Sequence, residues 1–395
     1  MSERKKYDDP GKLLSERKEI VTDTIRQKKK PKRIPLFSNA WTWKICDAGM
    51  KMSQAMTDYD KLYEAVCEHH EKYEFDLYID MGARNPIRYI KQFGEGLYVI
   101  DDKKNHMNFI DTTVMEEDEY PELIRDGLQK YYFEKAIVRK YGLKETEDAI
   151  QRFGNAAREY DKLAEFNKRV GEQYVKGFGV PKFSASKPMF PIEVLFCALR
   201  GIKGLSLDFR RNKKYLPDAL RVIDEYYKPL FDKALVNFKD SDEVYFPFRA
   251  TSMAHNMMNP KQFEEFAWPY IKSYVDSVAE HDMVAFMFVE GSIRHLIDFF
   301  QEIPKGHIAL LIENDDPAEL KKLLPNVTIV GGFPSNLLAT GTKGECIEEA
   351  KRLIDVMAYD GNYIFGCNKM LSYPNDAKGE NILAVNDYVR EFGVF

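Results

Sequence analysis

The chain has 395 residues, 44% hydrophobic and 31% charged, with a formal net charge of -5, the profile of a globular protein with no basic surface for nucleic acid. No apolar run of about 18 residues and no basic-then-apolar leader appears, so neither a membrane span nor an export signal is expected, and a cytoplasmic protein acting on small molecules or proteins is. The 5 cysteines are scattered and odd in number, which argues for reduced thiols rather than a disulfide framework.

Residues 12–28 (KLLSERKEIVTDTIRQK) read as a charged amphipathic helix and the following KKKPKR as a solvated connector, so residues 1–32 form an N-terminal helical arm. Short β-rich runs then alternate with longer segments whose apolar residues recur at three-and-four spacing. The runs are IPLFSNA (34–40), DLYIDMG (76–82), KFSASK (182–187), EVYFPFRA (243–250), MVAFMFVEG (283–291), HIALLIEN (307–314), VTIVGGF (327–333) and NYIFGC (362–367). This repeated β-then-α pattern predicts a single α/β domain, a (β/α)8 TIM barrel over residues 33–395, rather than an open sheet. GLYVIDDKKNHMNFID (96–111) predicts a hairpin, and the charged, helical residues from about 112 to 180 an insertion on the barrel.

Reactive groups in such a barrel collect at the C-terminal strand ends, where the βα loops converge. The rule selects Asn39 and Trp41, Asp80 and Met81, His255, Glu290, Glu313, Phe333 and Ser335, and Cys367, in strand order. Glu290 stands out because it closes the apolar run AFMFV. An unpaired buried carboxylate costs several kcal/mol, so this one needs a partner, a metal or water.

Four phrases, in order, resemble the uroporphyrinogen decarboxylase superfamily: ALRGIKGLSLDF, MNPKQFEEFAWPYIK, VTIVGGFPSNLLATGTKGECIEEAKRLID and NYIFGCNKMLSYPNDAKGENILAVNDYV. The resemblance implies the same barrel. It departs from the decarboxylase branch, whose opening arginine-rich MRQAGRY-like motif is replaced here by FSNAWTWKICDAG, with no arginine between Arg33 and Arg84. A polycarboxylate porphyrinogen would need basic, fork-shaped donors in that loop.

The other branch holds zinc-dependent methyltransferases that exchange methyl groups with a corrinoid protein. Its thiol-specific members carry an HxC pair ending the fifth strand and a cysteine after the eighth; these positions fall here on Phe288, Glu290 and Cys367. The resemblance thus implies zinc held by Glu290 and Cys367, with Glu313 of the neighbouring strand as third ligand. Exchanging thiolate for carboxylate hardens the metal and favours an oxygen ligand. The expectation is a corrinoid-dependent O-demethylase: methyl passes from a small donor, an aryl methyl ether, to the cobalamin-type cofactor of a partner protein. His255 would protonate the departing phenolate, and Asn39, Trp41, Met81, Met253 and Met257 would hold the substrate. A quaternary amine caged by Trp41 and Trp43, a thiol donor, or a decarboxylase-like activity are the alternatives.

Overall fold

The computed structural model describes residues 9–82, 87–94, 98–110 and 113–395. Every predicted strand forms. In chain order the strands are β1 (Phe37–Ser38), β2 (Leu77–Tyr78), β3 (Tyr98–Asp101), β4 (His106–Phe109), β5 (Lys182–Ser186), β6 (Val244–Ser252), β7 (Ala285–Val289), β8 (Ile308–Ile312), β9 (Thr328–Gly331) and β10 (Tyr363–Ile364). β3 and β4 are the expected antiparallel hairpin, although 96–97 and 111 of that predicted segment lie outside the described residues.

Strands β5 to β10 form a six-stranded parallel sheet in sequence order, and β1 pairs in parallel with β2. The two pieces join where Leu36 bridges Phe365 and Ala40 bridges Leu371, with the Phe37 N–H donating to the Phe365 carbonyl at 2.8 Å. At the other seam side chains cross instead: the Tyr245 hydroxyl donates to the Asp76 carbonyl at 2.8 Å and Arg249 to that of Ile79 at 2.7 Å. That seam is where the chain leaves for its helical excursion, which includes the helix Thr146–Glu172. The eight strands thus follow one another around a (β/α)8 barrel.

Period-two alternation fills it. Phe286 and Phe288 of β7 and Ala309 and Leu311 of β8 pack in an interior cluster with Phe37, Phe183 and Phe246, while Met287 and Leu310 pack in the layer under the outer helices. Strands buried on both faces read as unbroken apolar runs, which is why they were visible in the sequence.

The N-terminal helix α1 (Pro10–Arg26), capped by Asp9 with proline at its first position, is packed on the barrel rather than extended from it. Ile20, Val21 and Ile25 belong to the interior cluster, and α1 bonds the N-terminal strand ends, for example Lys18 to the Tyr245 carbonyl at 3.2 Å and Thr24 O to the Thr328 hydroxyl at 3.2 Å. It is the floor of the barrel. Asp76, which opens the second strand run, locks it there: its carboxylate accepts from Arg17 Nε at 3.2 Å, from Arg33 at 2.6 and 2.7 Å and from the Leu36 N–H at 2.8 Å.

Two of the phrases that carried the resemblance prove to be folding signals. Asn259 and Gln262 form a capping box that starts the helix Pro260–Phe266, and Thr342 and Glu345 form another at Lys343–Met357. Asn381 donates to the carbonyls of Leu338 and Gly341, both at 3.0 Å, fixing the last helix to the loop after β9. Among the described residues, no helix is long and apolar enough to cross a membrane.

Candidate active site at the barrel mouth

Strand β7 carries the inward row Phe286, Phe288 and, one residue beyond its end, Glu290. Gly291 then turns the chain at φ +75, and a Cβ there would lie 2.1 Å from Asn256 Oδ1, so glycine is the residue the turn accepts. The Glu290 N–H donates to the Ser252 carbonyl at 3.0 Å and its own carbonyl accepts from Asn256 Nδ2 at 2.8 Å. The partly exposed carboxylate is therefore set at the rim by backbone bonds to the adjoining end of β6.

That end of β6 carries a buried acid–hydroxyl–imidazole row. Glu193, on the short helix Pro191–Val194 after β5, is 1% exposed; its Oε1 accepts from the N–H groups of Met253 at 2.9 Å and Ala254 at 3.0 Å and lies 3.5 Å from the Ser252 hydroxyl. The Ser252 hydroxyl in turn meets His255 Nδ1 at 3.0 Å. Burial pushes the Glu193 carboxyl up to about 7, with the Glu290 charge adding to it against the backbone donors. Burial, helped by His295 and opposed by the Glu290 backbone, pulls His255 down to about 4. Near neutral pH the imidazole is thus uncharged and Glu193 is the group that exchanges a proton. Among the described residues Glu193 Oε2 is buried without a hydrogen-bond partner, a state that calls for an explanation.

Of the predicted residues, His255 and Glu290 are brought together on neighbouring strand ends, beside Met253 and Met257; the Met257 sulfur accepts from the Ser206 hydroxyl at 3.0 Å. Asn39, Trp41 and Met81 lie on the β1–β2 sector of the rim, away from β6 in strand order. Asn39 is buried and receives the Trp41 indole N–H at 3.3 Å. Trp41 caps the interior cluster, whereas Trp43 begins the helix Trp43–Asp47, is buried, and donates to the Ala377 carbonyl at 3.2 Å, so it takes no part in a cage with Trp41.

The three expected zinc ligands are not gathered into one set. Glu313 Oε2 accepts the Gly291 N–H at 2.6 Å, closing the turn after Glu290. Cys367 packs with Phe333, Phe365 and Leu371 in the layer between strands and outer helices, and its thiol donates to the Lys369 carbonyl at 3.1 Å. Burial pushes that thiol up to about 12, against backbone donors that favour the thiolate. Among the described residues no group of three His, Cys, Asp or Glu side chains is placed to hold a metal ion, so this arrangement does not fit the implied zinc.

Two residues were missed. Glu193, in MFPIEVLF, is a lone acid in an apolar run, the signal that singled out Glu290, but on a helical turn where strand-end reasoning did not look. Lys44 is 1% exposed, with its ammonium on the carbonyls of Asp80 and, at 3.4 Å, Met81; burial pulls it down to about 8, against the pull of Asp80.

By sequence, no curated protein matches the chain. Residues 248–392 match the family uroporphyrinogen decarboxylase (URO-D). In structure the chain is similar to a methyltransferase from Methanosarcina mazei, with a TM-score of 0.62 over 95% of this chain and 98% of that one at 14% identity, a likeness of fold. The matched segment takes in the end of β6, strands β7 to β10 and the mouth residues His255, Glu290, Glu313 and Cys367, and over that segment the chain is similar to the uroporphyrinogen decarboxylase family.

Proposed function

We propose that the protein transfers a methyl group from a small methylated donor, an aryl methyl ether, to the corrinoid of a partner protein. The observation that carries the reading is the pairing of Glu290 with the Glu193–Ser252–His255 row at one side of the mouth. The methyltransferase fold of the M. mazei protein supports it. The arginine-poor β1 loop speaks against a polycarboxylate substrate.

The corrinoid supplies a reduced cobalt nucleophile that takes the methyl carbon, leaving the ether's bonding pair on oxygen. The chain's task is to bind the ring, exclude water and deliver a proton to that oxygen. A neutral His255 has no charge to give up, so the proton is held on Glu193, and Ser252 and His255 relay it. Mixing the protein with a reduced corrinoid protein and a methoxy-aromatic should produce the methyl-cobalt spectrum, and betaine should not. Methylation by betaine alone would sink the ether assignment, and conversion of uroporphyrinogen to coproporphyrinogen would sink methyl transfer altogether.

Zinc is what the resemblance implies, and among the described residues Glu290, Glu313 and Cys367 are not gathered to hold it. Because the Cys367 thiol faces the outer layer, Cys367→Ala should leave unchanged whatever zinc elemental analysis finds in protein purified without chelator. A drop in that variant would return Cys367 to the metal.

A further inference from the structure

Beside the mouth lies a cavity of about 160 Å3, walled by the hairpin β3–β4 and by the loops after β1 and β10. Its surface comes from Trp41, Tyr98, Met107, Asn108, Met370 and Tyr373, with the hydroxyl-bearing Thr42 and Ser372 at the edge. The hairpin is held over it from the barrel side: the Tyr373 hydroxyl donates to Asn108 Oδ1 at 2.8 Å, and His106 stands edge-on to the Tyr373 ring at 5.7 Å between centroids. Trp41 is shared, since it also caps the barrel interior.

We infer that this cavity holds the ring of the donor, one flat, uncharged aromatic ring, with its methoxy group reaching across the mouth toward His255, an inference that rests on the proposed methyl transfer and names the part of the donor the protein recognises. Size is the first argument: an apolar cavity of about 150 Å3 accepts benzene, so 160 Å3 suits a single substituted ring. The walls are the second. Three aromatic rings offer edges and faces, and two thioethers add polarizable contacts to a ring. Charge is the third. Among the described residues no Lys, Arg, Asp or Glu lines the cavity, so the carboxylate of a betaine would be desolvated without a counter-ion, while a phenolic hydroxyl finds neutral partners in Thr42, Ser372 and Asn108. The hairpin would then set specificity, because it contributes Tyr98, Met107 and Asn108.

Calorimetric titration of the full chain with 2-methoxyphenol, betaine and tetramethylammonium tests this. The ring compound should bind and the two ammonium compounds should not. Filling the cavity by Met107→Phe or, independently, Met370→Phe should weaken ring binding about tenfold or more, while Val99→Ser, on an exposed position of the hairpin, should leave it unchanged. Circular dichroism melts confirm that each variant is folded. Absence of ring binding, equal binding by both filled variants, or tighter binding of tetramethylammonium would overturn the inference. The cobalt assay separates the two claims: filled variants that methylate cobalt at the wild-type rate remove the cavity but keep the function. Cavity-dependent binding without cobalt methylation keeps the cavity and removes the function.

Discussion

Asp76→Asn should destabilise the whole barrel by about 3–5 kcal/mol, the range for breaking one partner out of a buried charge network. Asp76 is 2% exposed and satisfies two guanidiniums and a backbone N–H at once. The asparagine is nearly isosteric but neutral, so Arg17, whose side chain is 7% exposed, stays buried without its anion: the amide oxygen and the Phe178 and Gly179 carbonyls, at 2.6 and 2.9 Å, accept from it but carry no charge. Arg17 belongs to α1 and Arg33 to the segment entering β1, so one carboxylate ties the floor helix to the first two strands. Loss of that tie should appear as a lower urea midpoint and an early loss of α1 protection in hydrogen exchange.

The pH dependence has a definite sign. Burial alone would raise the Asp76 carboxyl, but Arg33, Arg17 and the Leu36 N–H together hold it well below the ordinary carboxylate range. A carboxylate with a depressed folded pKa contributes stability that is complete above its unfolded value, near 4, and disappears as pH falls through the folded one. Wild type should therefore carry an acid limb below about pH 4 that Asp76→Asn lacks. A variant within about 1 kcal/mol of wild type at pH 7, with the same acid limb, would show that α1 is held by its apolar face alone.

How far the sequence reached follows from the same local rules. Strands β7, β8 and β9 were legible because each is buried on both faces, and the helix starts because Asn259 and Thr342 carry their capping partners three residues on. Glu290 was legible because β7 is regular to Val289 and the period of two runs one residue further. The side Cys367 takes was legible too. Strand β10 is two residues long, yet its alternation runs on: Ile364 faces the interior while Tyr363, Phe365 and Cys367 share the outer layer, so the period of two points to the right side, whereas the resemblance points the thiol to the mouth. Trp41 and Trp43 would share a face on a strand, but the chain turns into a helix at Trp43 and sends the second indole into the outer core. Glu193 acquires its role from contacts with Ser252, Met253 and Ala254, about sixty residues on, a pairing that only the folded chain creates.

That pairing supports the second large effect. Glu193→Gln should slow single-turnover methylation of the corrinoid by about a hundredfold or more, the usual contribution of a positioned proton donor, while affinity for 2-methoxyphenol stays at the wild-type value. The glutamine oxygen still accepts the Met253 and Ala254 N–H groups, so the loop's support is kept and the exchangeable proton is what is lost. With the wild-type carboxyl at about 7, the rate should fall as pH rises through neutrality, because the fraction of enzyme carrying the proton falls. In Glu193→Gln that alkaline limb should vanish and leave a low, flat profile. A purely structural Glu193 gives another pattern: the glutamine variant either keeps the full rate or loses rate and melting temperature together, and in both cases the alkaline limb survives. Only a group that holds the proton itself removes both the rate and its dependence on pH.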